Sequence, residues 1–90
     1  EETLTRALAN KYAEIKAYAS MLESDLELIE LRKSITATSE SQFRNGTITS
    51  AEYMSALNLE KEAILSHTIH RVNHIKAKVE YLNIAGNDIK

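Results

Sequence analysis

Three histidines, His67, His70 and His74, carry the most chemical potential in this chain. His70 and His74 are four residues apart and His67 lies three before them, so on a helix all three share one face. Such a pair can chelate a transition metal. A closed site needs further donors, and no carboxylate is plainly placed to supply one. The competing reading is a helix that carries its imidazoles in solvent, as long helices often do. Serine is plentiful too, yet a nucleophile needs a base held against it and an oxyanion site in a concave pocket. Two helices offer ridges rather than pockets, so neither an enzyme nor a cofactor is expected. Tyr12, Tyr18, Tyr53 and Tyr81 sit at helical spacing and read as packing or interface residues. Glu52 lies three residues after Thr49, the spacing at which a carboxylate closes the start of a helix.

The elements that position these residues follow from composition. The chain has 90 residues, no proline, no cysteine, no tryptophan and two glycines. Glutamate, lysine, alanine and leucine favour helix at most positions. Net charge is −2, with 11 basic and 13 acidic residues spread along the chain. No basic stripe or aromatic platform stands out, so nucleic acid is not an expected partner. Without cysteine there is no disulfide framework and no thiol chemistry. No apolar run reaches the ~20 residues a membrane helix needs. The sequence opens on Glu1-Glu2 without an initiator methionine or signal peptide and reads as a fragment of something larger.

From Leu4 to Ile29 apolar residues step by four and three: Leu8, Tyr12, Ile15, Ala19, Leu22, Leu26 and Ile29 form the expected heptad seam. Ala17, Met21, Leu28, Leu31 and Ile35 form a second stripe that widens the apolar face. At Lys33, Thr36 and Glu40 the seam turns polar and should pack more weakly. In the second half Leu65, Val72 and Val79 recur every seven, Thr68, Ile75 and Leu82 interleave, and Leu57 and Ile64 extend the face. Glu2 with Arg6 and Glu40 with Arg44 add acid-first i,i+4 support.

One break interrupts this pattern. Asn45-Gly46 can take positive φ and end a helix. Thr49-x-x-Glu52 fits a capping box, with Ile48 and Tyr53 placed as a hydrophobic staple. A second stop is expected at Gly86-Asn87-Asp88. The sequence therefore predicts one all-α unit: a helix over about 2–44, a turn at 45–49 and a helix over about 50–85. Two long helices joined by so short a turn run antiparallel as a coiled-coil hairpin. A lone hairpin leaves its flanking apolar stripe wet, so association into a helical bundle is expected, a dimer or trimer for this chain alone.

The stretch from Phe43 to Asn87, "FRNGTITSAEYMSALNLEKEAILSHTIHRVNHIKAKVEYLNIAGN", resembles the TolC-type outer-membrane efflux proteins. Phe43 and Gly46 stand where that family has an aromatic residue, then glycine, at the tip of a periplasmic hairpin. Ile48, Thr49 and "AEYM" resemble its hydroxyl- and acid-bearing start to the next helix. Ala63, Ala77 and Tyr81 recur as small and aromatic residues do on its returning helix. "YLNIAG" resembles its ending, and the step from Gly46 to Gly86 is similar to its spacing. Residues 1–42 match only as a long amphipathic helix.

The resemblance implies the periplasmic portion of an outer-membrane protein. Such proteins are trimers whose strands form a barrel in the membrane and whose helices form a tube. The tube's tips meet a periplasmic adaptor (membrane fusion) protein of a multidrug or type I secretion pump. By that analogy Asn45, Gly46, Thr47, Ile48 and Thr49 form the adaptor-docking tip. Glu52 and Ser55 fall where the family can carry aperture acids, and the uncharged Ser55 departs from that pattern. The barrel strands, and with them any membrane contact, are absent from this sequence, which could not itself conduct anything. Asn45-Gly46-Thr47 also matches the glycosylation triplet, to which a bacterial family gives no use. Two alternatives stay open: a self-associating structural scaffold without a transport role, and the hairpin of the adaptor itself. The adaptor's tip usually shows Arg, Leu and Ser at regular spacing. Here Phe43 and Thr36 stand seven and fourteen residues before Ser50.

Overall fold

A computed structural model describes the backbone of residues 2–89 and the side chains of residues 3–86. The chain forms two α-helices, α1 (Glu2–Arg44) and α2 (Ser50–Ile89), with no strand among the described residues. This is the expected all-α helical hairpin. No proline or glycine interrupts α1, and its leucine, alanine, glutamate and lysine content favours a helix throughout. No helix among the described residues is long and apolar enough to cross a membrane.

The turn, residues 45–49, falls where the sequence places it. The end of α2 does not. The helix runs through Gly86 to Ile89, and Gly46 alone among the described residues has positive φ. Glycine inside a helix costs about 1 kcal/mol relative to alanine. That weakness is not a stop by itself, and no proline follows to make it one. The side chains of Asn87 and Asp88, like that of Glu2 in the expected pair with Arg6, lie outside the described residues.

The chain divides into two compact units. One comprises residues 23–68 and holds the turn; the other comprises 1–22 and 69–90. In the turn-bearing unit Ile29, Thr36, Ala56 and Ala63 are buried, and Asp25, Arg32, Tyr53 and His67 are half-buried. In the other unit Ala77 is buried at 2% exposure, and Leu8, Lys11, Ile15, Tyr18, Leu22, His70, His74 and Tyr81 are half-buried.

These positions step by three and four on both helices, so heptad packing is present, on a face that overlaps the expected one on α1 and departs from it on α2. On α1 the expected Leu8, Ile15, Leu22 and Ile29 are retained in the seam. Their expected partners Tyr12, Ala19 and Leu26 are exposed, the first and last at 55%. Lys11, Tyr18, Asp25 and Arg32 take those places. Near the turn Thr36 is a seam residue, whereas Lys33 and Glu40 are exposed. On α2 the expected seam is turned outward altogether. Leu65, Val72, Ile75, Val79 and Leu82 are 50–66% exposed, Thr68 and Ile64 are exposed as well, and only Leu57 is half-buried. Alanines 56, 63 and 77 are what α2 buries instead. Small residues let backbones approach closely, and some of the polar groups between them, such as Glu80 opposite Lys11, meet a partner across the seam.

Candidate functional site

Two features are built with more precision than a generic hairpin requires: the turn, and the polar contacts inside the seam. At the turn Gly46 adopts φ +77°. Its N–H donates to the Phe43 carbonyl at 3.0 Å, and the Thr47 N–H donates to the Gln42 carbonyl at 2.9 Å. This pair of bonds, five-to-two and six-to-one, is the Schellman arrangement with Gly46 as its left-handed residue. The Thr47 hydroxyl adds a second bond to the Gln42 carbonyl at 3.0 Å. Carbonyls that would face solvent unpaired at the end of α1 are thereby satisfied.

The start of α2 closes equally well. The Glu52 N–H donates to Thr49 Oγ1 at 3.1 Å, and the Thr49 N–H donates to Glu52 Oε1 at 2.9 Å. The Thr49 hydroxyl also donates to that carboxylate oxygen at 3.1 Å. The capping box is complete, and its carboxylate sits in the first turn where the helix dipole favours it. Ile48 is half-buried. The Tyr53 ring, expected to pair with it, stacks on Phe43 at 5.4 Å between centroids and 13° between planes. The stack ties the last turn of α1 to the first turn of α2. Asn45, Gly46, Thr47 and Thr49 are exposed on a segment held at both ends, and Ser55 is exposed one turn further on. Glu40 and Arg44 approach to 4.0 Å on the surface of α1.

Within the turn-bearing unit the Thr36 hydroxyl donates to the Ala56 carbonyl at 3.3 Å, a buried cross-helix bond. Asp25 and His67, with side chains 13% and 18% exposed, face each other with Oδ2 and Nδ1 3.5 Å apart. In the other unit the Lys11 ammonium donates to the Glu80 carboxylate and also reaches Glu14 at 3.4 Å. The bond from Lys11 holds the Glu80 carboxyl below its ordinary range, and the bond to Glu80 holds the Lys11 ammonium above its own. The Tyr18 and His70 rings lie 6.4 Å apart.

The three histidines therefore all belong to the half-buried face of α2, not to a solvent face. His67 Nδ1, though 3.5 Å from Asp25 Oδ2, and His74 Nε2 are buried without a hydrogen-bond partner among the described residues. No group of three or more ligating side chains able to hold a metal occurs among the described residues. Sequence reasoning missed Asp25 as the group opposite His67 because it assigned Leu26, one residue on, to the seam. A shallow groove of about 190 Å³ beside the Lys11–Glu80 pair is lined mainly by charged side chains that include those two. Compared with protein-family models, with curated proteins and with solved structures, the chain finds no match.

Proposed function

We propose that this hairpin is a wall element of a TolC-type efflux duct, in the periplasmic portion of an outer-membrane protein. In this reading its outward apolar faces join it to other helices, and residues 45–49 present a tip to a periplasmic adaptor. The observation that carries the reading is the combination of a doubly capped, exposed tip with apolar stripes that the hairpin does not use for itself. A tip ordered at both ends loses little conformational entropy on docking, which favours recognition. The outward stripes remove from water only when further helices cover them. The resemblance around Phe43, Gly46, Thr49 and Tyr81 supplies the particular class.

The mechanism would be mechanical. Near the tip the seam holds Arg32, Thr36 and Ser39 rather than aliphatic side chains. Beyond the Phe43–Tyr53 stack and the Ala56 and Leu57 contacts, separating the helices there exposes little further aliphatic surface, which lowers the cost of opening an aperture. Glu52 serves the capping box, and its carboxylate would move with that cap if the tip rearranged.

Photo-crosslinking tests the docking role. With a photoreactive residue at Thr47 or Ile48 in cells producing the protein from its own gene, an adduct to a periplasmic adaptor is expected. Gly46→Val should reduce both the adduct and drug export. Normal export and no adaptor adduct at either position would overturn the duct reading. It would leave the scaffold as the better account, since a scaffold uses the same outward stripes with no partner at the tip.

A further inference from the structure

One stretch of each helix, about residues 23–35 of α1 and 69–82 of α2, turns an apolar stripe outward, and the exposed charges beside the two stripes are mainly of opposite sign. On α2, in the unit of residues 1–22 and 69–90, Val72, Ile75, Val79 and Leu82 are 50–66% exposed at heptad spacing. Arg71, Lys76 and Lys78 lie within one helical turn of them and are exposed. Glu80, the acid of this stretch, is bonded to Lys11 across the seam. On α1, in the unit of residues 23–68, Leu28, Leu31 and Ile35 share one flank and are 40–56% exposed. Their exposed neighbours are Glu23, Glu27 and Glu30, with Lys33 toward the turn.

We infer that the basic apolar face of α2 docks on the acidic apolar face of α1 from a second copy of this chain. This deepens the reading of the hairpin as one of several packed copies, and rests on it. Charge decides between the ways two copies can meet. An α2–α2 contact buries the same hydrophobic stripe but brings Arg71, Lys76 and Lys78 of both copies together. An α1–α1 contact does the same with three glutamates. Like charges brought together at an interface cost several kcal/mol, whereas opposed flanking charges set partner choice in helix pairing. The α2–α1 contact is the one in which both apolar stripes are covered and no like charges meet. Because it joins unlike faces, it closes either as a two-fold pair that makes the contact twice or as a ring of copies.

The test reverses each face in the 90-residue chain and reads mass in solution across a concentration series. Glu27→Lys with Glu30→Lys makes both faces basic, and Arg71→Glu with Lys78→Glu makes both acidic. Each variant alone should dissociate at least about tenfold more readily than the unaltered chain. An equimolar mixture of the two variants should regain association, as should the chain carrying all four changes. All four positions are exposed, and far-UV circular dichroism on the dilute variants checks that helicity is kept. A variant that loses helicity alone but regains it in the mixture also supports the pairing. Two results would overturn the assignment of faces while leaving self-association intact. One is insensitivity to the α1 reversal, with the α2 reversal tightening association as an α2–α2 contact requires. The other is no recovery in the mixture. An unaltered chain that stays monomeric at every concentration would overturn both this inference and the multi-copy reading beneath it.

Discussion

The two glycines should respond in opposite directions to the same substitution. At neither position does an added Cβ meet any atom within 4 Å, so steric contact drops out and only backbone preference remains. Gly46 sits at φ +77°, where an L side chain costs roughly 1–2 kcal/mol. Alanine also removes freedom from the unfolded chain, which returns about 0.4–1 kcal/mol. The net effect of Gly46→Ala is a loss of about 1 kcal/mol. Gly86 lies within α2, where alanine is better than glycine by up to ~1 kcal/mol, less near the frayed end of a helix. For a chain of this size each kcal/mol moves the melting temperature by roughly 4–8 °C. Thermal denaturation followed at 222 nm, at one protein concentration because association shifts the midpoint, should therefore show Gly46→Ala below the parent and Gly86→Ala at or above it. A neutral or stabilising Gly46→Ala would mean that residue 46 does not hold a left-handed backbone, and the turn as described would be wrong. A clearly destabilising Gly86→Ala would restore the helix stop expected from the sequence.

Other outcomes follow from the same contacts. Thr49→Ala removes the cap hydroxyl and should cost about 1 kcal/mol by chemical denaturation, with Thr49→Ser recovering most of it. Ala77→Leu should destabilise by about 1–3 kcal/mol through overpacking in the seam, whereas Leu65→Ala, at a position 59% exposed, should cost the dilute chain well under that. Because Glu80 titrates below its ordinary value, its contribution is full at neutral pH and is lost as acid takes the pH down through the folded value. Lys11 titrates above its own ordinary value, so its contribution persists to high pH and is lost only on passing that value. Glu80→Gln should flatten the acid limb of a melting-temperature profile and reduce its dependence on salt.

The turn was legible because its signals are local and chemically specific. Asn45-Gly46 supplies the left-handed residue, and Thr49 with Glu52 supplies the reciprocal cap, whatever lies elsewhere in the chain. The helices were legible because, apart from Gly86 near the end of α2, neither glycine nor proline opposes helix within them. Which faces meet was legible only in part: Leu8, Ile15, Leu22 and Ile29 lie in the seam as expected, but the face of α2 does not follow its apolar stripe. An apolar heptad that packs inside a hairpin and one that packs against another molecule have the same spacing. Leu65, Val72 and Val79 make the most regular stripe in α2, so periodicity alone assigns them to the seam. The contact is instead set by Ala56, Ala63 and Ala77, which permit close approach, and by polar contacts such as Lys11 with Glu80 and Thr36 with the Ala56 carbonyl. Such pairs join residues far apart in sequence, and a one-chain pattern search does not see them. Gly86 failed as a stop for a related reason: glycine permits a helix end, but its hydrogen bonds and neighbours decide whether one occurs.

Small and polar residues facing inward define this hairpin, and paired cysteines measure that directly because the chain has none of its own. Thr36→Cys with Ala56→Cys places thiols where a side chain already bonds across the seam. Leu26→Cys with Leu65→Cys places them on residues that the apolar pattern would bring together but that are exposed. Under mild oxidation at low protein concentration, the first pair should close rapidly into an intrachain disulfide, read by mass and by mobility, and the second should stay reduced or link separate chains. Rapid intrachain closure of the 26/65 pair with the 36/56 pair left open would contradict the account.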